Sequence, residues 1–261
     1  MILFPNAKIN LGLRILHKRN DGYHELQTIF SPIKGISDVL EIVRNHDHHA
    51  VEDVIFSASG LTISGSLEQN LCIKAYYLLK KDFPELPKIK MHLHKVIPMG
   101  AGLGGGSSDG AATLLLLNNK FNLGINRDQL IKYALQLGSD CPFFIFNEAC
   151  YATGRGEYLK PVNISLEGYK ILVVHPGIHV STAEAFKALN RSTDYIYEGD
   201  DLKEVINMPI SKWKNHLIND FQYPVIKAHP EIGMIIEDLY GCGALYASLS
   251  GSGSAVYGIF D

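Results

Sequence analysis

Hydrophobic and polar positions alternate along residues 2–16, which predicts a strand that carries Lys8 and Asn10 on one face. A turn signal follows at Asn20–Asp21–Gly22, and then "LQTIFSPI" and "DVLEIVR" read as strands. "VIFSASGLTISG" is β-rich and broken by glycine turns. "NLCIKAYYLLKKDF" changes period: Leu71, Ala75, Leu78 and Leu79 line one face of a helix, and Pro84 and Pro87 follow its end. "KIKMHLHKVI" alternates cleanly again and runs into a glycine-rich loop. After the loop, "DGAATLLLLNNKF" reads as a buried helix. "NRDQLIKYALQLG" reads as a second helix, with Asn126 as its N-cap and Gly138 past its end. "YKILVVHPG" reads as a buried strand and "STAEAFKAL" as a helix capped by Ser181 or Thr182. The segment 214–243 predicts two helices, and "ALYASLSGSGSAVYGIFD" two strands around a second glycine-rich turn. Meander-like strands mixed with helices favour an α+β fold over a strictly alternating α/β one. The pattern changes near residue 153, which predicts two domains, 1–153 and 154–261.

Composition narrows the function classes. At 46% hydrophobic and 20% charged, the 261 residues predict a soluble protein with a core that needs no disulfide or metal staple. Lys and Arg number 24 against 27 Asp and Glu, with no polybasic run, so no nucleic-acid footprint is indicated. The longest apolar run, around Leu114–Leu117, is far short of the roughly 18 residues of a membrane span. The first residues lack a charged n-region and an A-x-A site, so no signal peptide is expected. Four cysteines, far apart and without C-x-x-C, predict reduced thiols and a cytoplasmic protein. "RNHDHHAVED" at 44–53 holds His46, His48 and His49, but nothing nearby fixes a metal geometry, and a solvated hairpin tip is the favoured reading.

The loop "PMGAGLGGGSSDGAA", residues 98–112, carries the chemistry. A strand, then glycines, then a helix makes an anion site: glycine lets the backbone approach a phosphate, and the helix start offers unpaired N–H groups. No lysine follows the glycines, so the Walker A pattern fails. Gly100, Gly102 and Gly105 match G-x-G-x-x-G, but no strand ending in a ribose-binding acid follows about 20 residues on. The protein-kinase motifs V-A-I-K, H-R-D and D-F-G are absent. Elsewhere, Asp140 in "GSDCPFF" suits either a general base or an N-cap, because Pro142 sits where a helix can start. Lys8, flanked by apolar residues, calls for a carboxylate or phosphate partner.

"PMGAGLGGGSSDGAA" resembles the second signature of the GHMP kinases, the superfamily of galactokinase, homoserine kinase and mevalonate kinase. "FPNAKINLGL" is similar to its N-terminal signature and "SLSGSGSAVYG" to its C-terminal one, in the right order along the chain. "NDGYHEL", "LGSDCPFFI" and "GRGE" resemble the branch that acts on 4-diphosphocytidyl-2-C-methyl-D-erythritol (CDP-methylerythritol). The resemblance implies a two-domain α+β fold, the N-terminal domain like domain 2 of ribosomal protein S5 and the C-terminal one ferredoxin-like, with the active site in the interdomain cleft. It implies ATP and Mg²⁺ as cofactors, a small-molecule substrate, no nucleic acid or membrane partner, and a monomer or weak homodimer. Gly100, Gly102, Gly104, Gly105, Gly106, Ser107 and Ser108 would hold the ATP phosphates, with Asn70 near the adenine. Asp140 would be the general base and Lys8 its partner on the transferred phosphate. Asn10, Tyr23, His24, Lys95, His175 and Thr182 would face the substrate, Tyr23 and His24 at its cytosine. The ligands of the metal are left open. Members of the superfamily continue past the last glycine signature with a further helix and strand, and here the sequence given ends at Asp261.

Overall fold

The computed structural model describes every residue from Met1 to Asp261 except 48, 196 and 198. Along the chain run β1 (Ile2–Leu3), β2 (Asn6–Lys18), β3 (His24–Ser37), β4 (Val39–Arg44), β5 (Val54–Gly60), α1 (Leu71–Asp82) and β6 (Ile89–Lys95). Then come α2 (Gly105–Phe121), α3 (Arg127–Leu137), α4 (Cys141–Phe146), β7 (Cys150–Thr153), β8 (Tyr158–Pro161) and β9 (Lys170–Val174). The chain closes with α5 (Thr182–Leu189), α6 (Leu202–Val205), α7 (Gln222–Ala228), α8 (Pro230–Gly241), β10 (Tyr246–Leu249) and β11 (Val256–Phe260). Two compact units form. The first takes Met1–Ala7, Ile33–Met99 and Gly104–Asn147; the second takes Lys8–Pro32, Gly100–Leu103 and Glu148–Asp261. The units are interleaved along the chain, because β2 and β3 each change unit partway, whereas the expected division at 153 is a single cut.

In the first unit the sheet order is β1-β4-β6-β5, with β5 parallel to β6 and the other pairs antiparallel. The alternation read in "KIKMHLHK" is real: Ile89, Met91, Leu93 and Lys95 are buried and their neighbours are not. Leu40 pairs with Leu93 and Ile42 with Met91, so the apolar rows of two strands coincide. Helix α2 packs on α1, α3, α4 and β4, which explains why it is buried on nearly every face. Gly110 lets α1 cross it closely; a Cβ there would lie 2.9 Å from Leu71 Cβ. Asn126 caps α3 in a full capping box with Gln129, and Gly138 ends it, as the sequence predicts.

The second unit holds the sheets β2-β3-β7-β8 and β10-β11-β9. Leu13 and Ile15 of β2, Val225 of α7, Ile232, Ile236 and Leu239 of α8, Leu249 of β10 and Val256 of β11 share one core. The strand read in "YKILVVHPG" exists as β9, but it is not buried. It is an edge strand with β11 as its one neighbour, so its residues are at most half-buried. The short helix α6 and a 3₁₀ turn at Ile210–Asn215 are not predicted by the pattern, being too short to show a period.

All four cysteines are free; Cys72, Cys141 and Cys150 are buried and Cys242 is exposed. Among the described residues no helix is long and apolar enough to cross a membrane, and no group of three His, Cys, Asp or Glu is placed to hold a metal ion. Of the 44–53 tract, His48 lies outside the described residues.

Asn219, 2% exposed, organises the last glycine turn. Its Nδ2 donates to the carbonyls of Leu249 at 2.8 Å and Gly251 at 2.9 Å, and its Oδ1 accepts from the Phe221 amide at 3.0 Å. Asn219→Ala removes three buried hydrogen bonds, leaves the Gly251 carbonyl and the Phe221 amide unpaired, and is expected to cost about 3 kcal/mol. Asn126→Ala removes an exposed cap and is expected to cost about 1 kcal/mol. Urea denaturation of the two variants checks the order; equal midpoints would contradict it.

Candidate active site

Strand β2 delivers Lys8 and Asn10 on one face of the second unit, both buried. Lys8 Nζ donates to Asn10 Oδ1 at 2.6 Å and lies 5.0 Å from the centre of the Phe30 ring. Asn10 Nδ2 donates to Thr28 Oγ1 at 2.9 Å, and the Thr28 hydroxyl donates to the Gly12 carbonyl at 2.6 Å. The Tyr257 hydroxyl donates to the Asn10 carbonyl at 2.8 Å. A buried hydrogen-bonded chain thus orients the lysine before any ligand arrives.

The first half of the glycine loop belongs to this unit. The Lys8 amide donates to the Leu103 carbonyl at 2.9 Å, and the Ala255 amide to the Ala101 carbonyl at 3.1 Å. Ser250 Oγ donates to the Gly102 carbonyl at 2.9 Å. Gly102 has φ +78°, and a Cβ on it would fall 1.9 Å from the Ser250 carbonyl oxygen. Gly251 passes on the other side; its Cβ would lie 3.2 Å from Gly102 Cα and 3.4 Å from Asn10 Oδ1. Thr182 and Ser252 share a hydroxyl hydrogen bond of 2.8 Å, and the ring of His179 lies 3.8 Å from where a Gly100 Cβ would be. All three glycine-bearing signatures therefore meet.

The second half starts α2 in the first unit. Gly104 is left-handed at φ 72° and turns the chain into the helix. A Cβ on Gly105 would lie 2.8 Å from Ile97 Cγ2 and 2.9 Å from Lys95 Nζ, while one on Gly106 would meet nothing within 4 Å. Gly105 is thus a packing glycine, and Gly106 keeps the helix start open. The Ser107 side chain hydrogen-bonds the Cys141 thiol, whose pKa burial pushes up to about 12. That contact brings the start of α4 to the start of α2. Asp140 occupies the N-cap position of α4, but its side chain makes no capping bond. The capping alternative for Asp140 is therefore not realised in the side chain.

Asn70 does cap: its side chain accepts from the Cys72 amide at 2.9 Å, at the start of α1. It also lines a cavity of about 250 Å³ with Lys95, Met99, Gly106 and Asp109. Lys95, expected on the substrate side, is 1% exposed, and its ammonium donates to Asp38 and, at 2.7 Å, to Asp109.

Two further motifs come together in the second unit. Glu25, next to the D-G-Y-H run, accepts from the Gly154 amide at 2.9 Å, and the Leu26 amide donates to the Gly154 carbonyl at 2.8 Å. The Asp21 carboxylate accepts from the Tyr23 amide at 3.1 Å and pairs with Arg19. Tyr23 is 55% exposed, with the Arg155 guanidinium 4.6 Å from its ring centre. His24 stacks on Phe186 at 4.6 Å and 17°, and Phe186 meets Phe221 edge-on. Partial burial, then Lys18, lower the pKa of His24; burial lowers that of His175. Phe186 is the residue the sequence reading misses. It sits in "STAEAFKAL", where an aromatic at helical spacing reads as core.

Asp109 is buried, and its Oδ1 has no hydrogen-bond partner among the described residues. Burial, against the pull of Lys95 and with Asp38 adding to it, raises its pKa from 3.8 to about 7. Between those values the folded protein keeps a proton that the unfolded chain has lost, so stability falls as pH rises through this window. Asp109→Asn cannot titrate. Its melting temperature is expected to fall less between pH 5 and pH 8 than that of the unaltered protein, and parallel profiles would contradict the shift.

Comparison with known proteins gives the family. Residues 70–148 match the GHMP kinases N terminal domain and residues 211–261 the GHMP kinases C terminal domain. A relative from Bacteroides thetaiotaomicron, a 4-diphosphocytidyl-2-C-methyl-D-erythritol kinase, is 50% identical over 100% of this chain and 92% of its own. One of the same name from Porphyromonas gingivalis is 43% identical with the same coverage. The crystal structure of a 4-(cytidine 5'-diphospho)-2C-methyl-D-erythritol kinase superposes with a TM-score of 0.82 at 30% identity, over 99% of this chain and 90% of the other. Mevalonate kinase from Methanococcus jannaschii shares the fold, with a TM-score of 0.71 at 15% identity over 100% of this chain and 90% of the other. Full-length relatives at this identity, with both family domains matched in order, place the chain in the GHMP kinases, a family of phosphotransferases with a two-domain α+β fold.

Proposed function

We propose that the protein phosphorylates the 2-hydroxyl of CDP-methylerythritol with ATP, a step of the non-mevalonate isoprenoid pathway. The observation that carries the choice within the family is the joined D-G-Y-H and G-R-G-E turns, with the exposed Tyr23 ring and the His24–Phe186 stack beside them. Flat faces of this kind suit a pyrimidine, which homoserine and mevalonate lack. His24, kept neutral near pH 7, has one donor and one acceptor nitrogen for a base edge. Relatives bearing the CDP-methylerythritol kinase name across the full chain support the same choice.

The ATP phosphates fit residues 104–108. The first N–H groups of a helix have no intrahelical partner, and the helix dipole favours an anion there. Gly106 leaves that backbone approachable and Ser107 and Ser108 follow it. Asn70 and the cavity it lines suit the adenine end. These positions all fall within residues 1–153, which we assign to the nucleotide. Mg²⁺, carried with the triphosphate, supplies charge neutralisation.

In the transfer, the substrate hydroxyl oxygen bonds to the γ-phosphorus and gives its proton to the Asp140 carboxylate. The bond from the γ-phosphorus to the bridging oxygen breaks, and its electron pair leaves with ADP. Lys8 stabilises the charge on the transferred group, held in place by Asn10. Thr182 and His175 assist on the substrate side.

Asp140→Asn is expected to lower kcat about a thousandfold while leaving ATP affinity within about threefold. Retained turnover would remove Asp140 from the base role. Tyr23→Ala is expected to raise KM for CDP-methylerythritol about tenfold without moving KM for ATP. Turnover of homoserine or mevalonate as fast as that of CDP-methylerythritol would overturn the assignment.

A further inference from the structure

The buried cluster of Lys95 with Asp38 and Asp109 is unusual for its place. Two carboxylates lie beneath the start of α2, which the proposed function assigns to the ATP phosphates. The ammonium of Lys95 is already taken by both of them, so it leaves no free positive charge for a triphosphate. The cluster therefore adds no attraction for the nucleotide. Lys95 and Asp109 also line the cavity assigned to the adenine end, and Asp38 carries the cluster's contacts with backbone. Asp38 Oδ1 accepts from the amides of Val96 at 2.6 Å and Ile97 at 2.8 Å, the two residues at which β6 gives way to the glycine loop. Through its other oxygen Asp38 holds Lys95, and Lys95 reaches Asp109 on the second turn of α2 at 2.7 Å. Between these anchors Gly105 sits directly against Lys95 and Ile97, with no room for a side chain.

We infer that Asp38, Lys95 and Asp109 act as positioning residues, a buried charged clamp that fixes both ends of segment 96–108 so that the N–H groups opening α2 are preorganised for the ATP phosphates. The inference rests on the assignment of ATP to this loop. The clamp touches neither the hydroxyl that reacts nor the base, so it sets nucleotide affinity and leaves the transfer step alone. It also explains a glycine at 105: a methyl group there would push on the lysine that joins the two anchors.

Asp109→Asn and Asp38→Asn keep size and shape but remove one charged link each. Each is expected to raise KM for ATP about tenfold, the scale of one charge-assisted hydrogen bond, with kcat and KM for CDP-methylerythritol within about twofold. A lower melting temperature with an unmoved KM for ATP would make the cluster merely structural, and a fall in kcat alone would place it in the chemical step; either result overturns the clamp. Hydrogen exchange on the unaltered, nucleotide-free protein gives a reading that no folding defect can obscure. The amides of Val96 and Ile97 and those of residues 108–110, the first with acceptors inside α2, are expected to be protected and to open together. Fast exchange at 108–110 beside slow exchange at 96–97 would overturn the inference. If the unaltered protein phosphorylated nothing with ATP, the functional assignment would fall, while the exchange pattern would still decide whether the segment is clamped.

Discussion

Two glycine turns of the second unit pass each other at backbone contact, and the strand that carries Lys8 and Asn10 is built around that passage. Ser250 and Gly251 lie against Gly102 with no space for a Cβ on Gly102. The carbonyls and amides exposed by such close packing are paired across it, Ser250 to Gly102 and Ala255 to Ala101. β2 joins through the Lys8 amide and the Asn10 carbonyl. Backbone packing of this tightness leaves little freedom for the two side chains it carries. The Lys8–Asn10–Thr28 chain inherits its order from main chain that cannot shift.

In the proposed reading, a polyanionic ligand is met mainly by backbone dipoles. The protein is slightly acidic, and Lys95, the lysine nearest the start of α2 in the first unit, is neutralised by carboxylates. Fixed N–H groups at a helix start do not need to be reoriented when charge moves during transfer. A flexible cation would have to be, so order in the loop matters more here than net charge.

What was legible in the sequence was local. Capping at Asn126, the alternation of β6 and the glycine loop between strand and helix are set by neighbours within a few residues, and each is found where expected. The depth of β9 was not legible, because an apolar run looks the same at an edge as in the middle of a sheet. Nor were the partners of Lys95: Asp38 lies 57 residues away and belongs to a stretch that reads simply as the start of a strand. Phe186 was hidden for the opposite reason, since its helix was read correctly and an aromatic there has an ordinary explanation. The placement of Tyr23 beside Arg155 depends on two turns far apart in sequence, and their kinship was visible only through resemblance to a family.

The burial of the Cys141 thiol, which outweighs the opposing pull of Ser107, has a consequence for reactivity. A thiol must ionise to attack an electrophile, and Cys141, buried and held as the neutral thiol, does so poorly although it adjoins the proposed base. Cys72 and Cys150 are buried as well. Thiol-alkylating reagents therefore meet a folded protein with one accessible thiol, Cys242 at the end of α8, a single natural point for attaching a dye or a surface linker without touching the glycine loop.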